Sequence, residues 1–105
     1  MSQNQTISRN GVLVRLTDER WQHIIEEHSE LTGLRDEVLR TISSAEHVLS
    51  GATGELLALR MTETDKATVV VYRETELDDG FVITAFVTRR LKSLERRIQL
   101  WPPQT

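Results

Sequence analysis

Hydrophobic positions change period once along the chain. Between residues 17 and 44 they recur at helical spacing, and beyond residue 45 they alternate. Trp21, Ile24, Ile25 and His28 fall at i, i+3, i+4 and i+7, which places them in one stripe about 100° wide on a helix. Thr17 is the expected N-cap, and Asp18 and Glu19 sit in the first turn, where the helix dipole favours acids. Thr32-Gly33 breaks this helix. Leu34, Val38, Leu39 and Ile42 then mark a second one running to about Ser44. Glu46 to Ser50 reads as a short strand, and segments 55–62, 67–74 and 81–89 as three longer ones rich in Val, Leu, Thr and aromatics. Gly11 to Leu16 reads as a short strand or an extended entry. Glu63 to Lys66 and Leu77-Asp78-Asp79-Gly80 are the expected hairpin loops.

Two N-terminal helices followed by an antiparallel meander predict an α+β fold, with both helices on one face of a four- to five-stranded, mainly antiparallel sheet. Alternation then assigns faces, because residues two apart on a strand share one. Leu57, Leu59 and Met61, with Ala67, Val69 and Val71 and with Phe81, Ile83, Ala85 and Val87, are the expected helix-facing sets. The opposite face would carry Arg60, Tyr72, Thr84 and Thr88. The expected core comprises Trp21, Ile24, Ile25, Val38, Leu39, Ile42, Leu59, Val69, Val71, Ile83 and Ala85.

A chain of 105 residues with 38% apolar content bounds this to one domain, with residues 1–10 as a flexible arm and 11–105 as the folded unit. The absence of Cys excludes disulfide scaffolds, Cys-ligated zinc, iron–sulfur clusters and thiol nucleophiles, and fits a cytoplasmic setting. With a polar N-terminus and no apolar run of about 18 residues, a membrane partner is not expected.

The net charge of −3 argues against nucleic-acid binding through overall charge, but the charge is unevenly spread. Residues 18–37 hold seven acids against two arginines, whereas 89–97 hold five bases against Glu95. These are either a solvated helix face and a solvated tail, or a sign that one end of the molecule attracts phosphate.

His28 is the first chemical candidate. It ends the apolar stripe at the C-terminal end of a helix, with Glu27 and Glu30 close in sequence, a setting that suits proton transfer near neutral pH; it equally suits a histidine at the edge of the core. His23 projects to the far side of the same helix and reads first as a surface residue. The two lie about 140° apart on a helix and no third ligand has suitable spacing, so no metal or cofactor is expected. Arg60, in mid-strand, offers a planar cationic fork for a phosphate or a cross-strand ion pair; Arg89 is a second cationic candidate. Thr84 is a mid-strand hydroxyl, and Tyr72 either stacks a base or covers the sheet.

The run Trp21-Gln22-His23-Ile24-Ile25-Glu26-Glu27-His28-Ser29-Glu30-Leu31, followed by a second helix, by Val69-Val70-Val71-Tyr72 and by Val82-Ile83-Thr84-Ala85-Phe86, resembles the barnase–EndoU–colicin–RelE superfamily of small bacterial and phage nuclease domains. The resemblance covers about residues 12–90. Ser29 stands where such runs usually carry Pro, Glu46 stands near a common Pro-Asp turn, and the acidic balance departs from ribosome-dependent RelE-type toxins. The resemblance implies a toxin-like, metal-independent endoribonuclease in which the RNA 2′-hydroxyl attacks the adjacent phosphate. His28, His23 and Thr84 match its catalytic positions; Arg60, Tyr72 and Arg89 are substrate-binding candidates added from strand position and charge. An antitoxin or immunity protein is then the implied protein partner.

The competing class is a catalytically inactive RelE-like protein-interaction module. The tail Ile98-Gln99-Leu100-Trp101-Pro102-Pro103 is apolar and cannot continue as a helix past its prolines, so it either caps the core or docks on another subunit, as in a homodimer. Order is expected from Leu91 through Trp101, with Trp101 packed.

Overall fold

The computed structural model describes residues 4–76 and 78–103. Residues 1–3 of the expected arm, Leu77 of the expected loop and residues 104–105 lie outside the described residues.

Two short strands, β1 (Gln5–Ile7) and β2 (Leu13–Arg15), precede helices α1 (Asp18–Glu27) and α2 (Arg35–Ser43). Strands β3 (His47–Ser50), β4 (Leu56–Glu63), β5 (Lys66–Glu76) and β6 (Asp79–Thr88) follow, and β7 (Gln99–Trp101) closes the chain. They form one seven-stranded sheet in the order β1-β2-β6-β5-β4-β3-β7, in which the β2–β6 pair is parallel and the others are antiparallel. The expected architecture is corrected accordingly: the helices follow two strands instead of opening the chain, and the sheet is larger and mixed. Pairing with distant strands accounts for the difference, since three-residue strands gain their stability from neighbours and not from their own pattern.

The stretch expected as an arm joins the sheet from Gln5 onward. Ser8 is buried and its hydroxyl donates to Glu74 Oε2 at 2.5 Å, while Asn10 Nδ2 donates to Glu74 Oε1 at 2.9 Å. Arg9 donates from Nε to the Ala45 carbonyl at 3.0 Å and stacks over the Trp101 ring at 4.1 Å. Arg9 follows one edge strand and Trp101 belongs to the other, so the sheet curls far enough around α2 for its two margins to meet.

The caps agree with the sequence. Thr17 accepts from the Arg20 amide at 3.1 Å, and His28 is the C-cap of α1, its amide donating to the Ile24 carbonyl at 2.7 Å. Ile24 is the buried residue of α1; Val38, Leu39, Thr41 and Ile42 are those of α2.

Two apolar clusters lie on opposite faces of the sheet. The first joins Ile24, Leu31, Val38, Leu39 and Ile42 to Ala58, Val70, Tyr72, Val82 and Ala85, with Trp21, Ile25, Val87 and Trp101 at its margin. The second joins Leu49, Leu57, Leu59, Ala67 and Val69 to Leu94, with Met61, Val71, Phe86 and Leu91 at its margin. The expected faces of β4 and β5 are therefore reversed: Ala58, Val70 and Tyr72 meet the helices, whereas Leu57, Leu59 and Val69 lie under the C-terminal segment. Both faces of these central strands are apolar, which is the pattern of strands covered on two sides. A cavity of about 370 Å³ lies between that segment and the sheet, bounded by Leu49, Leu59, Met61, Leu94 and, at its rim, His47 and Gln99.

Candidate functional site

Strand β6 carries the feature that organises the site. Phe81 pairs with Arg73, Thr84 with Val71 and Phe86 with Val69, while Tyr72 pairs with Val82 across an irregularity that leaves Ile83 as the extra residue. The bulge shifts the alternation by one position. Arg73, Val71 and Val69 are two apart and share a face, so Phe81, Thr84 and Phe86 share it as well. Gly80 makes the start of this strand feasible, because a Cβ there would meet the Arg73 carbonyl oxygen at 2.6 Å.

The end of α1 comes to the same strand. The His28 ring lies 6.1 Å from that of Phe86, centroid to centroid, in a tilted arrangement, and its Nδ1 is 3.8 Å from Glu30 Oε2. His28 is about one-third exposed, so it is reachable by a ligand while held between the helix end and an aromatic ring. Strand β2 pairs with β6 only at Gly80 and Phe81. The C-terminal half of β6 is thus a margin of the sheet among the described residues, and it is there that His28 arrives.

The other expected site residues are dispersed. His23 is exposed on the far side of α1 with Nε2 3.6 Å from Glu27 Oε1, and is not brought to His28. Arg60 lies under α2, where its Nη1 donates to Glu37 Oε2 at 2.7 Å. Tyr72 is fully buried in the first cluster, so its ring has no face to offer a base, and its hydroxyl has no hydrogen-bond partner. Burial, and then the charge of Glu74, push the Tyr72 phenol well above its ordinary range. Placing Arg60 and Tyr72 on the open face is therefore corrected, for the same reason as the strand faces. Arg89 follows β6 and is held by Asp65 at 2.6 Å and Glu63 at 3.6 Å.

Phe81 and Phe86 are the residues that alternation misplaces or passes over. Phe86 stands in the Ile-Thr-Ala-Phe run itself, and the signal that would have added Phe81 is the bulge, which has no marker in the sequence. Among the described residues, no group of three or more His, Asp or Glu side chains is placed to hold a metal ion. No helix of the described residues is long and apolar enough to cross a membrane. Comparisons with protein-family models, with curated proteins and with solved structures find no match.

Proposed function

We propose that this protein is an endoribonuclease that cleaves RNA without a metal ion, at the margin of the sheet where α1 ends against β6. The observation that carries the reading is the 6.1 Å approach of His28 to Phe86. It joins the two segments on which the family resemblance rests, the histidine run and the Thr-Ala-aromatic strand, although they are far apart in the chain. In the proposed reaction the 2′-oxygen bonds to phosphorus as its proton leaves, the bond from phosphorus to the 5′-oxygen breaks, and that oxygen takes up a proton. His28 is the group that moves a proton, Thr84 donates a hydrogen bond to the phosphate, and Arg90, which unlike Arg89 has no carboxylate within ion-pair distance among the described residues, supplies positive charge beyond Phe86.

Removing a proton-transfer group costs about 10²–10⁴ in rate, so purified His28→Ala should lose cleavage of total RNA to that extent while its far-ultraviolet spectrum and melting temperature stay near wild type. Equal cleavage by His28→Ala and wild type would overturn the assignment. A second reading, a non-catalytic partner-binding domain, is favoured by Ile98 and Leu100, which are 69% and 45% exposed on the tail. A stable one-to-one complex with another protein, and no cleavage once that protein is removed, would support it instead.

A further inference from the structure

We infer that Phe81 is a stacking platform for a base of single-stranded RNA, lying upstream along β6 from the reacting phosphate; this rests on the proposed ribonuclease reading. Phe81 is 44% exposed, although it stands in the interior of a paired strand. The bulge at Ile83 puts it on the face that carries Thr84 and Phe86. Its register partner lies four residues from that of Phe86, which at the rise of a strand separates the two rings by about 13 Å. Aromatic rings on one face of a sheet are a recurrent way of holding successive unstacked bases.

The surroundings of Phe81 fit a polyanion. A groove of about 310 Å³ beside it is lined by Arg15, Thr17, Arg20 and Asp79. Arg15 is already paired with Asp79 at 2.6 Å, but Arg20 has no carboxylate within ion-pair distance among the described residues. The start of α1 borders this groove and its end lies at Phe86, so α1 runs alongside β6 in the same direction. A strand of RNA laid along β6 would meet Arg20 and Phe81 at one end, Thr84 in the middle, and His28 and Phe86 at the other. The rest of α1 is acidic, with Glu19, Glu26 and Glu27, so stacking must supply a large part of the affinity. A duplex hides its base faces and would not use Phe81.

The test is fluorescence anisotropy with a labelled single-stranded RNA dodecamer and with the duplex of the same sequence, in a His28→Ala background that leaves the RNA uncut, alongside cleavage assays on the parent protein. Phe81→Ala should weaken single-strand binding about ten-fold, Phe81→Trp should restore it, and Ile98→Ala, another exposed apolar residue, should leave it unchanged. Melting temperatures of all variants identify any that fail to fold, and the Trp variant then carries the comparison. RNA bound and cleaved equally with and without the Phe81 ring would overturn the platform and leave the ribonuclease reading standing. Duplex bound as tightly as single strand would also overturn it. No RNA bound or cleaved by any of these proteins would overturn both.

Discussion

Replacing Tyr72 by Phe removes one oxygen atom from the middle of the first apolar cluster. The Tyr72 side chain is fully buried, and its hydroxyl lacks a hydrogen-bond partner. Burying a hydroxyl without a partner costs about 1–3 kcal/mol, whereas the ring itself, among Val70, Val82, Ala85 and the helices, contributes as any buried aromatic does. Tyr72→Phe keeps the ring and loses the penalty. It should therefore stabilise the protein by about 1 kcal/mol or more, a rise of roughly 4–8 °C per kcal/mol for a domain of this size. The raised phenol adds a signature at high pH. In the unfolded chain Tyr72 ionises near 10, while in the folded protein burial and Glu74 keep it protonated. Stability from this difference is present below pH 10 and lost as the pH rises above it, because the unfolded state then binds fewer protons. Urea unfolding at pH 7 and pH 10.5 reads both effects: Tyr72→Phe should raise the midpoint at pH 7 and show a smaller alkaline loss. A midpoint lowered by the equivalent of more than about 1 kcal/mol would instead mean that the hydroxyl makes a favourable bond in the native state.

Glu55 predicts the opposite pH behaviour. Its carboxylate accepts from the Thr53 hydroxyl and from the Thr53 amide at 3.2 Å, and these bonds lower its pKa from 4.5 to about 2. The stability they add is present above pH 4.5 and lost as the pH falls toward 2, so acid titrations of Glu55→Gln should lack that part of the wild-type loss. Ile42→Ala, at a fully buried position of α2, should cost about 2–5 kcal/mol in urea unfolding; a cost below 1 kcal/mol would contradict the burial. Arg60→Met should leave any RNA cleavage within about two-fold of wild type, because Arg60 is paired with Glu37 beneath α2 and not on the open face; a hundred-fold loss would return Arg60 to the site.

Much of the secondary structure is legible in the sequence because its period is local. The helical stripe from Trp21 to His28, the Thr17 cap and the break at Gly33 each rest on neighbouring residues, and the strands after residue 45 announce themselves by alternation and turn residues. What is not legible is non-local. Strands β1 and β2 have three residues each, and their place follows from partners, Val14 pairing in parallel with Gly80 at the far end of the chain. Face assignment fails at Leu57-Ala58-Leu59 and Val69-Val70-Val71, where every position is apolar and a one-residue shift leaves the pattern unchanged. In the fold Ala58, Val70 and Tyr72 lie toward the helices, and Leu57, Leu59 and Val69 lie with Leu94 in the second cluster. The same limit governs the site. His28 is visible as the end of a stripe, but that it meets Phe86 depends on α1 lying along β6, and that Phe81 joins Thr84 and Phe86 depends on one extra residue at Ile83.

Cleavage by 2′-hydroxyl attack without metal assistance, as proposed, leaves its signature in the chemistry of the product ends. A defined single-stranded RNA incubated with the purified protein in excess EDTA would be resolved by mass spectrometry. The expected products are fragments ending in a 2′,3′-cyclic phosphate, paired with fragments beginning in a 5′-hydroxyl, and both should be lost in His28→Ala. Intact RNA, or fragments carrying a 5′-phosphate and a 3′-hydroxyl, would contradict the proposed cleavage.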